Sequence, residues 1–452
     1  MRFAIETLGT RGDVQPYIAL AMGLMARGHE VQLAAPVQFS DLAAEHGIPF
    51  AGVSGEFLAL LDTPEGKAAI AGGKGFGAGF RLLKHMRPLM MRLLDEEWRA
   101  VRSFQPDVLV YHPKSFGSPD MAAALGVPHV LASPIPGFTP TDAFPSPMLP
   151  FASLGPFNRM SHAFAIHGAR LLFAKDLKAW RATTLGLPGR TARKPAAGTL
   201  YAYSPAVLPK PNDWGPDVLV TGYWFLDRPD WQPDEALESF LTAGLPPVYF
   251  GFGSVPGIDP AAMAGTILEA LKMTGMRGLL AGGGGAIGKA DASARAYFLA
   301  GAPHDRLLPR ASAAVHHGGA GTTAASLRAG LPTQIVPFFG DQPFWGRRVD
   351  ALGAGPAPLD RKTLSAAGLA KALTAMDAAA MRARAADLGA AIAKDRGGRD
   401  RNYIPRTIER HIALSAASCR RFRDFRESLH CAGCACRMCS FGRKKMAYRR
   451  TF

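Results

Sequence analysis

The chain has 452 residues, of which 48% are hydrophobic and 19% charged, and its formal net charge at pH 7 is +16. This composition supports one or two large cores, which excludes a disordered chain and a miniprotein held by disulfides. No run of eighteen uncharged apolar residues occurs, and the first ten residues are too short and too polar for a signal peptide. We therefore expect a cytoplasmic protein without membrane-spanning helices.

The first elements read as strand, glycine loop, helix and strand. Phe3–Leu8 is mostly apolar and precedes the tight loop Gly9–Asp13. Apolar residues then recur over Val14–Met25 at the three- and four-residue spacing of one helix face, and Gly28 ends the helix. Val31–Ala35 is the next strand. This βαβ unit predicts a parallel sheet with helices on its faces.

The same pattern returns in the second half of the chain. Val248–Phe252, Ala313–His317 and Thr333–Phe338 read as strands, and residues 205–246 before them form an irregular stretch rich in Pro and aromatic residues. We therefore predict an α/β protein with two Rossmann-like halves. The predicted division is 1–215 for an N-terminal domain, 216–245 for a linker, 246–395 for a C-terminal domain, 396–418 for a helix that returns to the first domain and 419–452 for a tail.

The tail differs abruptly from the rest. It holds all five cysteines, and its ten Lys and Arg residues face only two acidic ones. The four cysteines of residues 431–439 are enough for one zinc ion, and the basic charge suits nucleic acid. A second, separated cysteine pair is missing, so we expect a disordered extension or a reading-frame artefact, with no metal site and no nucleic-acid partner.

Residues His316–Thr323 form the most informative loop, with two histidines, three glycines and a Thr-Thr pair between a strand and a helix. Glycines let the backbone approach a ligand, and the free N–H groups of a helix N-terminus favour anions, above all phosphates. His317 adds a hydrogen-bond donor. A tight turn without a ligand is the alternative, but the histidines favour phosphate binding.

Two acidic positions allow two interpretations each. Asp341 and Gln342 stand between a strand and a helix, where they either bind sugar hydroxyls or cap the helix. Asp13 is either the N-cap of the helix from Val14 or a general base at the carboxyl ends of the strands. Arg11 beside it faces either a phosphate or solvent.

A nicotinamide-dependent enzyme is disfavoured. The first loop has the spacing GxxG instead of GxGxxG, and the second strand ends at Ala35 without an acidic residue for a ribose. Gly283, Gly285 and Gly288 do spell GxGxxG, but they lie in a stretch with five glycines in seven residues, where this spacing carries little information.

Several motifs together resemble one family and cover residues 1 to 410 in order. They are Gly9–Pro16 (GTRGDVQP), Tyr111–Lys114 (YHPK), Tyr203–Pro211 with Asp213–Gly215, Thr221–Asp227 (TGYWFLD), Phe250–Ser254 (FGFGS) and Pro303–Gln342. The chain resembles the inverting nucleotide-sugar glycosyltransferases of the two-Rossmann GT-B fold. Within them it is most similar to the sterol glucosyltransferase-like and glycopeptide-antibiotic glycosyltransferases.

The resemblance implies an acceptor-binding N-terminal domain, a donor-binding C-terminal domain and a reaction in the cleft between them. It makes Asp13 the catalytic base and His112 either its dyad partner or a structural donor. The donor is a nucleotide diphosphate sugar, with no further cofactor. The residues implied in donor binding are Gly12, Ser254, His304, His317, Gly319, Gly321, Thr322, Asp341 and Gln342. Relatives often carry Trp where this chain has Arg306, which leaves the preferred base open.

These features predict transfer of a hexose, preferentially glucose, from a UDP- or TDP-sugar to a hydroxyl of a lipophilic acceptor such as a sterol. The helix N-terminus and His317 are suited to stabilise the leaving diphosphate without a metal ion. One alternative is transfer to a polyketide, macrolide or peptide antibiotic. The alternative from another class is a non-catalytic nucleotide-sugar-binding protein.

Acceptor binding has the weakest signals. Phe138–Pro145 has the aromatic and Pro character of an apolar acceptor wall, or is an ordinary loop. Arg81–Arg102 mixes apolar and basic residues, so it either rests on the anionic inner face of the membrane or packs on its own domain. Packing on its own domain is the favoured interpretation of this helix, and peripheral contact of a cytoplasmic protein with the inner membrane face is the alternative.

Overall fold

The structure is a computed structural model that describes residues 1–56, 75–188, 195–253, 259–282, 285, 287–288, 295–395, 404 and 406–410. Two sheets, each entirely parallel, form two α/β domains. The predicted fold class is confirmed. No helix in these ranges combines the length and apolar character needed to span a membrane.

The elements alternate as the sequence pattern predicts. The strands β1 to β7 of the first sheet are Arg2–Glu6, Glu30–Pro36, Phe50–Val53, Val108–Tyr111, His129–Ser133, Gly198–Tyr201 and Val218–Val220. The strands β8 to β12 of the second sheet are Val248–Gly251, Gly278–Ala281, Ala296–Leu299, Ala313–His316 and Thr333–Ile335. The helices α1 to α13 are Arg11–Met25, Ser40–Ala44, Gly75–Phe104, Ser118–Leu125, Asn158–Leu172, Ala174–Thr183, Glu235–Thr242, Pro260–Thr274, His304–Leu307, Ala320–Arg328, Gln342–Ala351, Ala366–Met376 and Ala379–Ala393.

The first sheet has the strand order β3-β2-β1-β4-β5-β6-β7, with Glu6 at the end of β1 opposite Tyr111 at the end of β4. The order therefore reverses direction between β1 and β4. In open α/β sheets, ligands bind at such a point, outside the carboxyl ends of the strands. The segments that leave this point contain Asp13 and His112.

The second sheet repeats this arrangement with the order β10-β9-β8-β11-β12. Its direction reverses between β8 and β11, where His316 pairs with Gly251. The loop after β11 begins with His317, so the predicted phosphate loop also starts at a reversal point. Each domain therefore has a candidate ligand site at the point where its strand order reverses.

Each sheet is buried on both faces, and a third apolar cluster joins the domains. In this cluster, Tyr203 and Trp214 from the segments after β6 meet Phe344 and Trp345 of α11. The ring centroids of Tyr203 and Trp345 lie 6.3 Å apart. The aromatic residues of the irregular stretch are thus packed, and they bind one domain to the other.

The structure differs from the sequence pattern in two places. Helix α1 begins at Arg11 with Thr10 as its N-cap, so Asp13 lies in the first turn and is not the N-cap. The stretch predicted as irregular contains β7, the last strand of the first sheet, and the helix α7. Three residues of strand are too few to show a periodicity, which explains why the pattern missed β7.

The helix predicted over Arg81–Arg102 lies within α3. Its Met90 and Leu94 are buried in a core cluster of the first domain together with Trp98. Among the described side chains, the apolar face of this helix therefore packs on its own domain. These apolar residues are therefore not available to a membrane surface, which disfavours the alternative of a membrane-facing helix.

The chain returns to the first domain near its end. Ile404 and Ile408 are buried in the first core cluster, and Glu409 accepts hydrogen bonds from Arg27 at 2.8 Å. The residues between Lys394 and this point are described only in part, so the predicted domain boundaries stay a prediction. The tail of residues 419–452 lies outside the described residues.

Candidate active site

Asp13 lies in the first turn of α1, next to the end of β1. Its Oδ2 accepts a hydrogen bond from the Thr10 N–H at 2.8 Å and from Thr10 Oγ1 at 3.2 Å. The carboxylate is nevertheless partly accessible, with 14% of the side chain exposed. The N-cap interpretation is therefore wrong, because Thr10 is the N-cap and Asp13 is the third residue of the helix, whose carboxylate binds back to Thr10. The role of Asp13 as a base stays a prediction.

Lys114, from the segment after β4, is the nearest charged partner of Asp13. Its Nζ lies 2.8 Å from Asp13 Oδ2. Gly9 makes room for this pair, because its φ of +132° suits only glycine, and a Cβ there would overlap Oδ2 and lie 2.7 Å from Nζ. The YHPK motif is part of the family resemblance, but no role for Lys114 follows from the motif alone.

His112 is almost fully buried beside the same carboxylate. Its Nδ1 accepts the Lys114 N–H at 3.1 Å, which leaves the proton of the neutral ring on Nε2. Nε2 faces Asp13 Oδ1 at 3.6 Å and has no hydrogen-bond partner among the described residues. Burial lowers the pKa of His112 to about 3, so the ring is neutral at pH 7. The two predicted dyad residues are thus adjacent, but no hydrogen bond joins them.

The predicted phosphate loop begins at His317 and leads into α10. Gly319 is the N-cap of α10, and a Cβ at Gly319 would lie 2.5 Å from His317 Nε2, so the imidazole covers the start of the helix. Gly321 and Thr322 belong to the exposed first turn, and a Cβ at Gly321 would meet nothing within 4 Å. Free N–H groups and one imidazole therefore surround open space, as an anion site requires.

The two neighbouring histidines have different roles. His316 is fully buried, accepts the Gly318 N–H on Nδ1 at 3.0 Å and contacts Ser326 Oγ through Nε2 at 3.2 Å. His317 is half-buried, and its Nδ1 lies 3.5 Å from the Gly251 carbonyl oxygen. Burial lowers the pKa of His317, and the contact with Gly251 opposes this. His316 thus shapes the loop, and His317 is the histidine that can meet a ligand.

Asp341 and Gln342 lie at the N-terminus of α11. Asp341 Oδ2 accepts the Trp345 Nε1–H at 2.7 Å, and Gln342 Oε1 accepts the N–H groups of Phe338 and Phe339 at 2.7 and 3.1 Å. Gln342 therefore fastens the loop through its oxygen, and its Nε2 has no partner among the described residues. Asp341 Oδ1 and Gln342 Nε2 are the atoms left for sugar hydroxyls.

The pKa of Asp341 depends in part on charged residues of the other domain. Burial raises its pKa to about 6, the hydrogen bond from Trp345 opposes this, and the charge of Asp13 adds to the rise. Lys114 acts on Asp341 in the opposite direction. The predicted base and the predicted sugar-binding residue, which belong to different domains, therefore lie within electrostatic range of each other.

His304 lies at the start of α9, beside a cavity of about 320 Å³. Its Nε2 is 3.1 Å from the hydroxyl of Tyr249. Burial lowers the pKa of His304 to about 4, and the charges of Arg11 and Arg328 contribute. Arg306 also lines this cavity, so the residue that replaces the usual Trp faces the space next to the predicted donor site.

Two remaining predicted residues have little structural context. A Cβ at Gly12 would meet only Thr10 Oγ1, at 4.0 Å, so the fold itself does not require glycine at this position. A ligand that approaches the backbone closely would be a reason for glycine there. Ser254 lies outside the described residues. Gly253 before it has a φ of +61° and lies beside His317, so the chain leaves β8 toward the phosphate loop.

The loop Phe138–Pro145 is held firmly in the first domain. Asp213 accepts hydrogen bonds from Thr141 Oγ1 at 2.7 Å and from the Asp142 N–H at 2.9 Å. Phe144 packs against Phe344 of the second domain, with ring centroids 5.5 Å apart. At least one aromatic residue of the predicted acceptor wall therefore serves the domain contact, and the acceptor role of this loop stays a prediction.

Sequence reasoning missed two charged residues at the site. These are Lys114, which contacts Asp13, and Arg328, which acts together with Arg11 on the pKa of His304. The motif YHPK contained a signal for Lys114, because its Lys follows a strand that ends at the same sheet edge as Asp13. Without the strand order, this closeness is not visible.

The chain is similar to known glycosyltransferases in sequence and in fold. Residues 3–111 match the model of the glycosyltransferase family 28 N-terminal domain, and residues 297–397 match that of the erythromycin biosynthesis protein CIII-like C-terminal domain. A sterol 3-beta-glucosyltransferase of Arabidopsis thaliana is 35% identical over 398 residues, which are 83% of this chain and 63% of that protein. One from Aspergillus fumigatus is 36% identical over 418 residues, which are 88% of this chain and 29% of that protein. The chain thus spans less than two thirds of the length of these relatives.

Solved structures share the fold at low sequence identity. The glycotransferase of kitacinnamycin superposes with a TM-score of 0.66 at 20% identity, covering 91% of this chain and 99% of that one. The calicheamicin glycosyltransferase CalG4 superposes with a TM-score of 0.64 at 18% identity, covering 91% and 98%. The two parallel-sheet domains have the GT-B fold of these glycosyltransferases. In sequence, the chain is similar to sterol 3-beta-glucosyltransferases over most of its own length.

Proposed function

We propose that the protein is an inverting, metal-independent hexosyltransferase that moves glucose from UDP- or TDP-glucose to the hydroxyl of a sterol. The observation that carries the proposal is the contact between α1, which holds Asp13, and α10, which begins at the predicted phosphate loop of the other domain. Relatives named sterol 3-beta-glucosyltransferases support the sugar and the acceptor. The proposed acceptor class includes other lipophilic alcohols.

The acceptor hydroxyl loses its proton as its oxygen attacks the anomeric carbon. Asp13 is the proposed base, because its carboxylate is ionised and partly accessible in the cleft. A positioned base of this kind contributes roughly 10²–10⁴-fold to the rate. His112 lies behind it and supplies a fixed N–H dipole next to the carboxylate.

The leaving diphosphate gathers negative charge as the bond to the sugar breaks. The first turn of α10 and His317 surround the space where this charge develops. Preorganised donors in such a position stabilise charge without a metal ion. Gly12, Ser254, His304, Gly319, Gly321 and Thr322 are the further proposed donor-binding residues, and Asp341 and Gln342 are proposed to hold the sugar hydroxyls.

A single displacement with the base on one side of the sugar and the diphosphate on the other inverts the anomeric centre. An α-linked donor then gives a β-glycoside. The proposal is tested by incubating the protein with UDP-glucose or TDP-glucose and a sterol, with the 3-methyl ether of the same sterol as the blocked acceptor. We expect a β-linked product from the free sterol alone, identified by mass and by its anomeric proton coupling, and unchanged activity in EDTA.

Other outcomes identify the alternatives. An α-linked product, or loss of activity in EDTA that a divalent ion restores, overturns the inverting and metal-independent mechanism. Transfer to macrolide or polyketide aglycones without transfer to sterols assigns the protein to the antibiotic class. Tight donor binding without transfer to any acceptor and without donor hydrolysis identifies a non-catalytic binding protein.

We also propose peripheral contact with a membrane, through a surface other than α3. Phe151, Phe157 and Met160 of the first domain are 50%, 59% and 66% exposed, and Phe339 of the second domain is 43% exposed. Arg347 links the domains at this surface by donating to the carbonyl oxygens of Pro150 and Phe151. Exposed apolar residues beside the cleft are suited to a lipid surface from which a sterol enters.

Co-sedimentation with anionic vesicles tests this contact. We expect Phe157→Ser with Met160→Ser to weaken vesicle binding and to leave activity on a detergent-solubilised acceptor unchanged. Leu245→Ser is the matched control, because Leu245 is 83% exposed at the opposite, amino end of β8. Equal vesicle binding by the double variant and the wild type contradicts the proposed surface.

A further inference from the structure

The two oxygens of the Asp13 carboxylate have different surroundings. Oδ2 is fully engaged by three donors, namely the Thr10 N–H at 2.8 Å, Thr10 Oγ1 at 3.2 Å and Lys114 Nζ at 2.8 Å. Oδ1 faces His112 Nε2 at 3.6 Å, which is longer than a hydrogen bond. Oδ1 is therefore the oxygen that retains a lone pair for a new proton.

Lys114 contacts both residues of the predicted dyad. Its side chain binds Asp13 Oδ2, and its backbone N–H donates to His112 Nδ1 at 3.1 Å. The second contact fixes the tautomer that places the His112 proton on Nε2, toward Asp13 Oδ1. One residue thus contacts both side chains of the predicted dyad.

The backbone is shaped around this ion pair. Gly9 lies next to the ion pair, and a Cβ at that position would overlap Asp13 Oδ2 and approach Lys114 Nζ to 2.7 Å. Lys114 is 50% exposed, so its side chain reaches Asp13 from the open side of the cleft. A surface ion pair usually contributes little to stability, which makes a purely structural reason for this arrangement weak.

We propose that Lys114 is a positioning residue for the transfer reaction, holding Asp13 by Oδ2 so that Oδ1 takes the proton of the acceptor. This inference rests on the proposed function. In the step, the acceptor oxygen forms its bond to the anomeric carbon and its proton passes to Oδ1. The bond from that carbon to the diphosphate oxygen breaks, and its electron pair leaves with the diphosphate. Lys114 keeps its own proton throughout.

Lys114 is also the residue that keeps Asp13 ionised. Burial alone would raise the pKa of Asp13, but Lys114, His112 and the hydrogen bonds from Lys114 and Thr10 lower it below its usual value. His112 is neutral at pH 7, and Tyr17 on the same helix has a pKa raised by burial and by the charge of Asp13. Asp341 of the other domain is a carboxyl group, so it is not a cation that could stabilise ionised Asp13. Among the described groups that act on the pKa of Asp13, Lys114 is therefore the cation.

Three variants test the proposal. Lys114→Met removes the charge at similar length, Lys114→Arg restores it, and Lys272→Met is the control on an exposed lysine of α8. We expect Lys114→Met to lower kcat for sterol glucosylation by about tenfold or more and to shift the acid limb of its pH profile to higher pH. UDP affinity should stay within about twofold, because the ion pair orients the base and not the donor.

A second readout does not depend on activity. In protein carrying ¹³C-labelled Asp carboxyls, with Asp13→Asn to assign the signal, Lys114→Met should raise the titration midpoint of Asp13, and Lys114→Arg should return it toward the wild-type value. An unchanged midpoint and an unchanged kcat overturn the proposal, and so does a large loss of UDP affinity, which would make Lys114 a donor ligand. If the midpoint rises but the wild type transfers no sugar to any acceptor, the proposed function fails and the Lys114–Asp13 linkage stands.

Discussion

The charge of Asp13, in the first domain, raises the pKa of Asp341, in the second, so the two carboxylates lie within electrostatic range of each other. Each carboxylate is held by its own domain, Asp13 by Thr10 and Lys114 and Asp341 by Trp345. A ligand between them would meet the proposed base on one side and the proposed sugar-binding group on the other.

Replacing Asp13 with Asn should remove the base and leave donor binding nearly normal. The amide keeps the size of the side chain but has no basicity, so we expect turnover to fall by roughly 10²–10⁴-fold. Initial rates give the turnover, and calorimetric titration with UDP gives the affinity. Because Asp13 also caps α1, the melting temperature of the variant must be compared with the wild type. Wild-type turnover in Asp13→Asn would leave Asp13 with the capping role alone.

Replacing His317 with Ala should weaken UDP and TDP binding by about 1.5–3 kcal/mol, the range for a hydrogen bond to a charged group. His316→Asn is the contrasting variant, because its partners are Ser326 and Gly318 within the fold. We expect His316→Asn to lower the melting temperature more than His317→Ala does. Unchanged affinity of His317→Ala for both nucleotides would move the diphosphate site elsewhere.

Binding of UDP should also take up a proton at neutral pH. His317 Nδ1 faces the Gly251 carbonyl, an acceptor, so Nε2 needs a second proton before it can donate to a phosphate. Burial lowers the pKa of His317 in the free protein, and a bound phosphate favours the charged ring. Titrations in buffers of different ionisation enthalpy measure this uptake. Proton uptake that persists in His317→Ala would point to another group.

Affinity for the sugar part of the donor should depend on pH near 6. Burial raises the pKa of Asp341 to about 6, so below that pH the protonated carboxyl offers fewer acceptor sites to sugar hydroxyls. We expect the Kd of UDP-glucose to increase as pH falls from 7 to 5, relative to the Kd of UDP over the same range. In Asp341→Asn this difference should vanish. A difference that persists in the variant would rule out Asp341 as the titrating group.

Stability should decrease as pH rises toward 8, because of a buried acid pair behind the site. Burial raises the pKa of Glu97 to about 8, opposed by Ser115, and burial and Glu97 raise the pKa of Glu6 well above its usual value. The folded state thus binds these protons more tightly than the unfolded state. The stabilisation is complete below about pH 4.5 and is lost as pH rises through the folded pKa.

The variant Glu97→Gln tests this dependence, since it keeps the shape of the side chain without an acid. Its melting temperature should exceed that of the wild type at pH 8.5 and approach it at pH 5. Glu269→Gln is the control, because Glu269 is about half exposed on α8. Equal pH dependence of melting in Glu97→Gln and the wild type would contradict the raised pKa of Glu97.

The fold class can be read from the sequence alone, and so can the segments that hold the candidate site. Periodicity and glycine loops marked strands and helix starts to within a few residues, because turn chemistry and helix faces are local properties. The strand predicted at Ala313–His317 is observed at Ala313–His316, whereas β7 was missed because it spans three residues. The motifs of the family then selected His317, Asp341 and Asp13 among many polar residues.

Only the tertiary structure decided which of these segments lie together. The order of the sheets places β1 beside β4 and β8 beside β11, and this order depends on pairings between residues up to about one hundred positions apart. The ion pair of Asp13 with Lys114 and the approach of Asp13 to Asp341 follow from that order and from the packing of the domains on each other. No local pattern contains this information, because the interaction of two charges depends on their distance in space and on their burial.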